Sequence, residues 1–338
     1  MKVLLTFNDK YAPHAAVVME SIIRNAAGRV GFIIMHYEND LNADMQNTFK
    51  KHFGERVESL EFRSVGERMK QHFASVQYAS YLSVNAFLRL LSPDVLQNEN
   101  TVLYLDCDLI VLGDIIQLMQ LTDPSYAVNA VPEHKPSPRI SVLEAKPVKT
   151  EQERGALHIE HNQMVRKRQL GMSPESAYFN TGVMIMNLKL WREEALFDRI
   201  LEFIGSHSVL YSGDQDALNG VLDGNFGELP LAWNVHPYVK SLNEYSSTYS
   251  SSELYEAREH PQIIHFAGYK AWEYRYENEQ EKQLYWQYRS FTPWPQKQEN
   301  GKTPRAVINK RVKIPFIRAI KRLLGDRNIT KIKKILAR

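Results

Sequence analysis

Candidate chemistry concentrates in Val102-Leu103-Tyr104-Leu105-Asp106-Cys107-Asp108-Leu109-Ile110-Val111, where apolar β-type chain runs into two acids and then resumes. Residues two apart on a strand face the same side, so an unbroken strand would present the Asp106 and Asp108 carboxylates together. Carboxylates at close range oppose each other's ionisation, and a divalent cation between them removes the conflict. The pair therefore reads as half of a divalent-metal site. The plainer alternative is a strand that stops and a solvated acidic turn.

Three further stretches carry reactive types. Ile263-Ile264-His265-Phe266-Ala267-Gly268-Tyr269-Lys270 delivers an imidazole on a β-run and an ammonium just past a glycine. Glycine permits close backbone approach to a ligand, and lysine is a point-charge partner for phosphate. A lone histidine among apolar residues is otherwise a satisfied core residue. Ser212-Gly213-Asp214-Gln215-Asp216 precedes an apolar-periodic run, so Ser212 or Asp214 could simply cap a helix. Arg89, on a helix expected from Ser80 to Leu91, reads by spacing as a surface charge.

The elements around these residues alternate. A strand is expected over Lys2–Phe7, and Pro13 opens a helix carrying Ala15, Val18, Met19, Ile22 and Ile23 at helical spacing. A strand (Phe32–Tyr37), a helix (Asn42–Phe53) and a strand (Val57–Phe62) follow, and later a strand through Tyr126–Val131. Such alternation predicts an α/β fold with a mainly parallel sheet. Ligands then bind beyond the carboxyl ends of the strands, where Asn8–Tyr11 and Asp106/Asp108 both fall. Pro132 to Ala177 is an irregular excursion, helical between Thr150 and Gln169, and reads as a lid because loops this long are uncommon unless functional. Tyr178–Asn187 restores order, and a helix is expected over Lys189–Ile204 with Trp191 as a core anchor.

At 338 residues the chain is long enough for one large α/β domain or two smaller ones, and its 43% apolar and 24% charged share is ordinary for a soluble globular protein. No run of 18 apolar residues spans a bilayer, and the start is too short in apolar residues for a signal peptide. The single cysteine, Cys107, excludes an internal disulfide and fits a reducing cytosol. The net charge of +3 is unevenly spread. Thirteen of the 42 basic residues but one of the 39 acidic ones lie in 302–338, so that segment carries +12 and the rest −9.

This divides the chain into a body (1–290), a Pro/Gln-rich linker (291–303) and a basic tail (304–338). In the tail, Phe316, Ile317, Ile320, Leu323 and Leu324 share one helical face before Gly325, with Arg318, Lys321 and Arg322 off it. A second set follows at Ile329, Ile332, Ile335 and Leu336. Basic amphipathic helices of this kind lie in membrane interfaces, and each Lys or Arg near an anionic surface adds about 1 kcal/mol. No aromatic stacking platform accompanies the charges, which argues against nucleic acid. The expected location is cytoplasmic, peripheral to the inner face of the plasma membrane.

Five stretches in fixed order carry a resemblance: Thr6-Phe7-Asn8-Asp9-Lys10-Tyr11; Leu103 to Asp108; Tyr178-Phe179-Asn180-Thr181-Gly182-Val183 with Asn187 to Trp191; Asp214 to Gly220; and His265 to Trp272. Over residues 1–290 the chain resembles family 8 of the retaining glycosyltransferases, which includes glycogenin and bacterial lipopolysaccharide α-galactosyl- and α-glucosyltransferases. The resemblance implies the Rossmann-like nucleotide-sugar fold called GT-A, a UDP-hexose donor, a glycan or glycolipid acceptor, and Mn²⁺ (or Mg²⁺) on the donor diphosphate. It implies Asp106, Asp108 and His265 as metal ligands, with Lys270 and the backbone at Gly268 on the diphosphate. Thr6, Asn8 and Tyr11 fall where the family holds uridine, Cys107 contributes backbone between the aspartates, and Arg89 matches a donor-contacting arginine. Asn180, Asp214 and Gln215 fall where relatives hold the transferred sugar, Gln215 beside the anomeric carbon. The family outcome is retention, attributed to attack on the leaving group's own face.

Three departures stand out: Asn8 replaces an aspartate, Cys107 replaces a usual apolar residue between the aspartates, and the 132–177 excursion is longer than in the similar bacterial enzyme. Two rival readings exist. One is a haloacid-dehalogenase-type phosphatase with Asp106 as nucleophile, which gives no role to His265 or Lys270. The other is a non-catalytic sugar-nucleotide-binding protein at a membrane surface.

Overall fold

A computed structural model describes residues 1–66, 72–73, 84–136, 150–207, 209–242 and 248–304. Four strands form the parallel half of a seven-stranded sheet: β1 (Lys2–Thr6), β2 (Gly31–Tyr37), β3 (Ser59–Val65) and β4 (Thr101–Leu105). The order across the sheet is β3-β2-β1-β4-β7-β6-β8. β6 (Val128–His134) and the short β8 (Gly227–Glu228) pair in parallel, and β7 (Tyr178–Asn187) inserts antiparallel between β4 and β6. The expected α/β fold with a mostly parallel sheet is therefore present. Residues of β2 are buried throughout, as in parallel sheets covered on both faces.

Helix α1 (Ala12–Asn25) starts with proline in its first turn, and α2 (Ala43–Phe53) is capped by Asn42, whose side chain accepts from the Met45 N–H at 2.9 Å. Both close βαβ units, and their buried faces share one core with β1 and β2. A short α3 (Ile115–Gln120) follows, capped by Asp114. Pro132 cannot donate to the ladder, and the β6–β7 register shifts on either side of it. That irregularity re-aims the strand end carrying Glu133 and His134.

Three expectations are revised. The strand does not continue through Asp106: β4 ends at Leu105, the chain bends, and β5 (Leu109–Val111) joins β9 (Ile263–His265) in a separate antiparallel ribbon. The helix expected over 189–204 is two, α5 (Leu188–Glu193) and α6 (Leu196–Ser206), divided at Ala195 with φ +47°. Within the expected 80–91 helix, Val84–Leu91 is the tighter 3₁₀ form, and 80–83 lie outside the described residues.

The excursion helix, numbered α4 (Glu151–Gln169), carries a full capping box between Thr150 and Glu153. Its buried residues include Glu160, Gln163 and Lys167 beside Ala156, a mostly polar stripe. It docks through hydrogen bonds more than through oily packing. Trp191 anchors the core as expected, its indole N–H donating to the Ala127 carbonyl at 2.8 Å. α7 (Asp214–Leu222) follows a sharp turn at Gly213 (φ +56°). α8 (Glu279–Ser290) packs on α1.

In the stretch 291–303, Trp294 packs on Phe49 with ring centroids 5.6 Å apart, and Asn300 exchanges backbone hydrogen bonds with Trp272 and Tyr274. The amphipathic segments read in the tail lie in 305–338, outside the described residues. Among those described, no helix is long and apolar enough to cross a membrane.

Candidate active site

The bend after β4 brings together what a straight strand was expected to align. Asp106 is held through its backbone N–H to the Gly182 carbonyl (2.9 Å), and Leu109 sits in register with His265 across the β5–β9 ribbon. His265 Nε2 then lies 3.3 Å from Asp108 Oδ1 and 3.7 Å from Asp106 Oδ2. One ligand atom from each residue falls within 4.8 Å of the others. Gly182 makes the approach possible. A Cβ there would stand 2.3 Å from His265 Cε1 and 2.8 Å from Asp106 Oδ2. Two carboxylates and an imidazole are a donor set that fits a divalent cation, the imidazole favouring Mn²⁺ over Mg²⁺.

Cations of the chain flank this cluster. Lys270 Nζ is ion-paired with Asp108 Oδ2. Burial would raise the Asp108 carboxyl, but the Lys270 ammonium pulls the other way and the group lies below the usual carboxylate range. Arg89, expected from spacing at the surface, is instead buried (5% exposed) between two acids. Its Nη2 meets Asp106 Oδ1 at 2.9 Å and its Nε meets Asp214 Oδ2 at 3.2 Å, while Nη1 donates to the Thr181 carbonyl at 2.8 Å. Tyr104, under the guanidinium at 4.2 Å, donates to Asp106 Oδ1 at 2.8 Å.

Asp214 is not the N-cap residue of α7. The residue at the helix N-cap is Gly213, with no side-chain cap, and the Asp214 carboxyl turns to Arg89. Burial pushes that carboxyl up to about 6, with Arg89 pulling the other way. Gln215 and Asn180 do come together: Asn180 Nδ2 donates to Gln215 Oε1 at 2.9 Å.

The remaining expected residues line the β1–α1 edge. Thr6 Oγ1 contacts the Tyr104 hydroxyl at 3.2 Å, and Asn8 Oδ1 accepts from the Tyr11 N–H at 3.2 Å. Tyr11 stands edge-on to Trp272. Cys107 turns its thiol toward the Thr6 carbonyl, and burial pushes that thiol well above its usual range. Gly268 has φ +87° with open space where a Cβ would be, so the turn conformation is what requires glycine there.

Four site residues have no assigned role in the sequence reading. Glu133 Oε2 accepts from Asn180 Nδ2 (3.4 Å) and Gln215 Nε2 (3.3 Å). Its position at the carboxyl end of β6 is a signal that strand-end reasoning could have used. Tyr178, Asp216 and the fully buried Asn234 complete the polar network, and nothing in Leu231-Ala232-Trp233-Asn234 announces the last of them.

A mostly parallel sheet with an acidic pair and a histidine at its carboxyl edge defines a GT-A-type α/β protein. Residues 2–275 match the model of Glycosyl transferase family 8, and the chain belongs to that family. General stress protein A of Bacillus subtilis is 26% identical, over 87% of this chain and 94% of that protein. A putative glycosyltransferase of Haemophilus influenzae is 24% identical, over 72% of this chain and 65% of its own length. In fold, the chain is similar to the galactosyltransferase LgtC solved with donor and acceptor sugar analogs. Their TM-score is 0.64 at 19% identity, covering 84% of this chain and 95% of LgtC.

Proposed function

We propose that this glycosyltransferase is a retaining, Mn²⁺-dependent hexosyltransferase that moves galactose or glucose from a UDP-sugar to a hydroxyl of a glycan or glycolipid precursor, forming an α-linkage. The observation that carries the reading is the convergence of Asp106, Asp108 and His265 within 4.8 Å, joined by hydrogen bonds to the amides of Asn180 and Gln215. Asp106, Asp108 and His265 would hold the cation. Bound there, it would neutralise charge building on the departing diphosphate.

Lys270 has three N–H donors, so it can keep Asp108 and still reach a phosphate oxygen beside the Gly268 backbone. Thr6, Asn8 and Tyr11 line the edge proposed for uridine, with Arg89 holding Asp106 and Asp214 apart. Asn180, Asp214 and Gln215 face the proposed sugar position. A two-step double displacement needs a carboxylate about 5 Å from its partner acid. The carboxamide of Gln215 at the expected position favours single-face attack instead. A phosphatase reading would need a free Asp106 nucleophile, whereas Arg89 and Tyr104 both occupy its Oδ1.

The test is a panel of UDP-sugars incubated with the purified chain, with and without Mn²⁺. Transfer or slow hydrolysis of UDP-galactose or UDP-glucose only with metal is expected. Turnover that survives chelation would refute the metal assignment. The same reading places the protein at the cytoplasmic face of the membrane through 304–338, so full-length protein should sediment with anionic liposomes.

A further inference from the structure

Two backbone N–H groups on β7 set the polarity of the whole network beside the candidate metal ligands. The Gly182 N–H donates to Asn180 Oδ1 at 3.0 Å, and the Thr181 N–H donates to Gln215 Oε1 at 3.3 Å. A backbone N–H can only donate, so both side-chain atoms must be carbonyl oxygens. Asn180 therefore offers its NH₂ to Gln215 Oε1, and Gln215 offers its NH₂ to the Tyr178 hydroxyl (3.2 Å) and Glu133. Tyr178 passes its own proton to Asp216 Oδ1 at 2.6 Å, and Arg166 of α4 pairs with that same oxygen at 3.3 Å.

The logic runs equally toward the other end. Asn180 Oδ1 is an acceptor, so Asn234 must present Nδ2 to it, at 2.9 Å. That orientation leaves Asn234 Oδ1 facing His265 Nδ1 at 2.9 Å. Two acceptors cannot bond each other, so Nδ1 carries the proton. We infer that Asn234 is a positioning residue that fixes His265 in the Nδ1–H tautomer, so that the Nε2 lone pair points at the space shared by Asp106 and Asp108. Donation runs one way along the chain, from His265 through Asn234, Asn180, Gln215 and Tyr178 to Asp216. All six residues are buried, none more than 9% exposed, so bulk water is a poor substitute partner for any member. The partner on the other nitrogen of a metal-binding imidazole typically contributes about 10- to 100-fold in metal affinity.

This inference rests on the metal-site reading above, and its primary test does not depend on catalysis. Full-length protein labelled with ¹⁵N-histidine is observed by NMR with Mg²⁺ present, the His265 ring being assigned by its disappearance in His265→Asn. A protonated Nδ1 and an unprotonated Nε2 are expected. The opposite tautomer in the unmutated protein overturns the inference.

The second test is Mn²⁺ binding, followed by the EPR signal of free Mn²⁺. Asn234→Leu should bind Mn²⁺ about 10- to 100-fold more weakly. Asn234→Asp, which still accepts from Nδ1–H but turns an oxygen against Asn180 Oδ1, should keep binding within about threefold of the parent and lose sugar transfer. An Asn234→Leu protein with unchanged thermal melt and Mn²⁺ affinity equal to the parent overturns the inference. Protein that binds Mn²⁺ yet transfers nothing from any UDP-sugar overturns the proposed function instead, and the tautomer measurement still decides this point.

Discussion

Among the described residues, the side-chain partners of Asp106 and Asp108 (Arg89, Tyr104, His265 and Lys270) are all ionisable, and the cations Arg89 and Lys270 occupy carboxylate oxygens that a metal or phosphate would also contest. Around Gln215 the groups are mostly neutral amides and a phenol, and each donor already meets an acceptor. The first region can exchange partners at modest cost, because one charge substitutes for another. The second cannot, since removing one partner strands a buried group at about 1–3 kcal/mol. On the proposed function, binding would use the exchangeable charges and orientation the fixed chain of hydrogen bonds.

The largest effect should come from the charged side. Asp108→Asn should lower sugar transfer about a thousandfold, roughly 4 kcal/mol of barrier, read as initial rate at saturating Mn²⁺; a loss under tenfold would mean that the carboxylates are not essential. Arg89→Met strands Asp106 and Asp214 without their shared cation, and urea unfolding should show a loss of about 3–5 kcal/mol.

Asp214 sits where the two regions meet and gives the pH test. A carboxyl raised in the folded state contributes stability that is full below its unfolded pKa, near 4, and is lost as pH rises through about 6. Relative to Asp214→Asn, the parent should therefore lose roughly 2–3 kcal/mol between pH 4 and pH 7. Parallel stability curves for the two proteins would remove Asp214 as the titrating group.

On the amide side, Tyr178→Phe deletes the link from Gln215 to Asp216 and should cost about 1–3 kcal/mol, expressed more in kcat than in KM. If it cost as much as Asp108→Asn, the distinction between the two regions would fail. Smallest of all, removing 305–338 should leave turnover of a soluble acceptor within about twofold while abolishing liposome sedimentation, since about 1 kcal/mol per basic residue is lost only at the membrane.

Much of the charged side was legible before the fold. Asp106, Asp108, His265 and Lys270 stand in motifs where apolar strands end, and strand ends are where such sheets bind ligands. Their manner of meeting was not legible. The straight-strand argument brings Asp106 and Asp108 together by geometry that the chain does not adopt: β4 ends at Leu105, and the chain bends into the β5–β9 ribbon. Arg89 misled by spacing, since periodicity reports which face of a helix is apolar but not that two acids await a charge there.

By itself the sequence determined the alternation of elements, hence a mostly parallel sheet, and the edge at which reactive residues collect. These follow from local spacing, which one segment carries whole. The direction of every hydrogen bond in the amide chain was decided only by tertiary structure. Its links join residues 31, 54 and 35 positions apart (His265–Asn234, Asn234–Asn180, Asn180–Gln215). No periodicity relates them, and an asparagine's oxygen and nitrogen acquire distinct roles only when fixed backbone donors are folded against them.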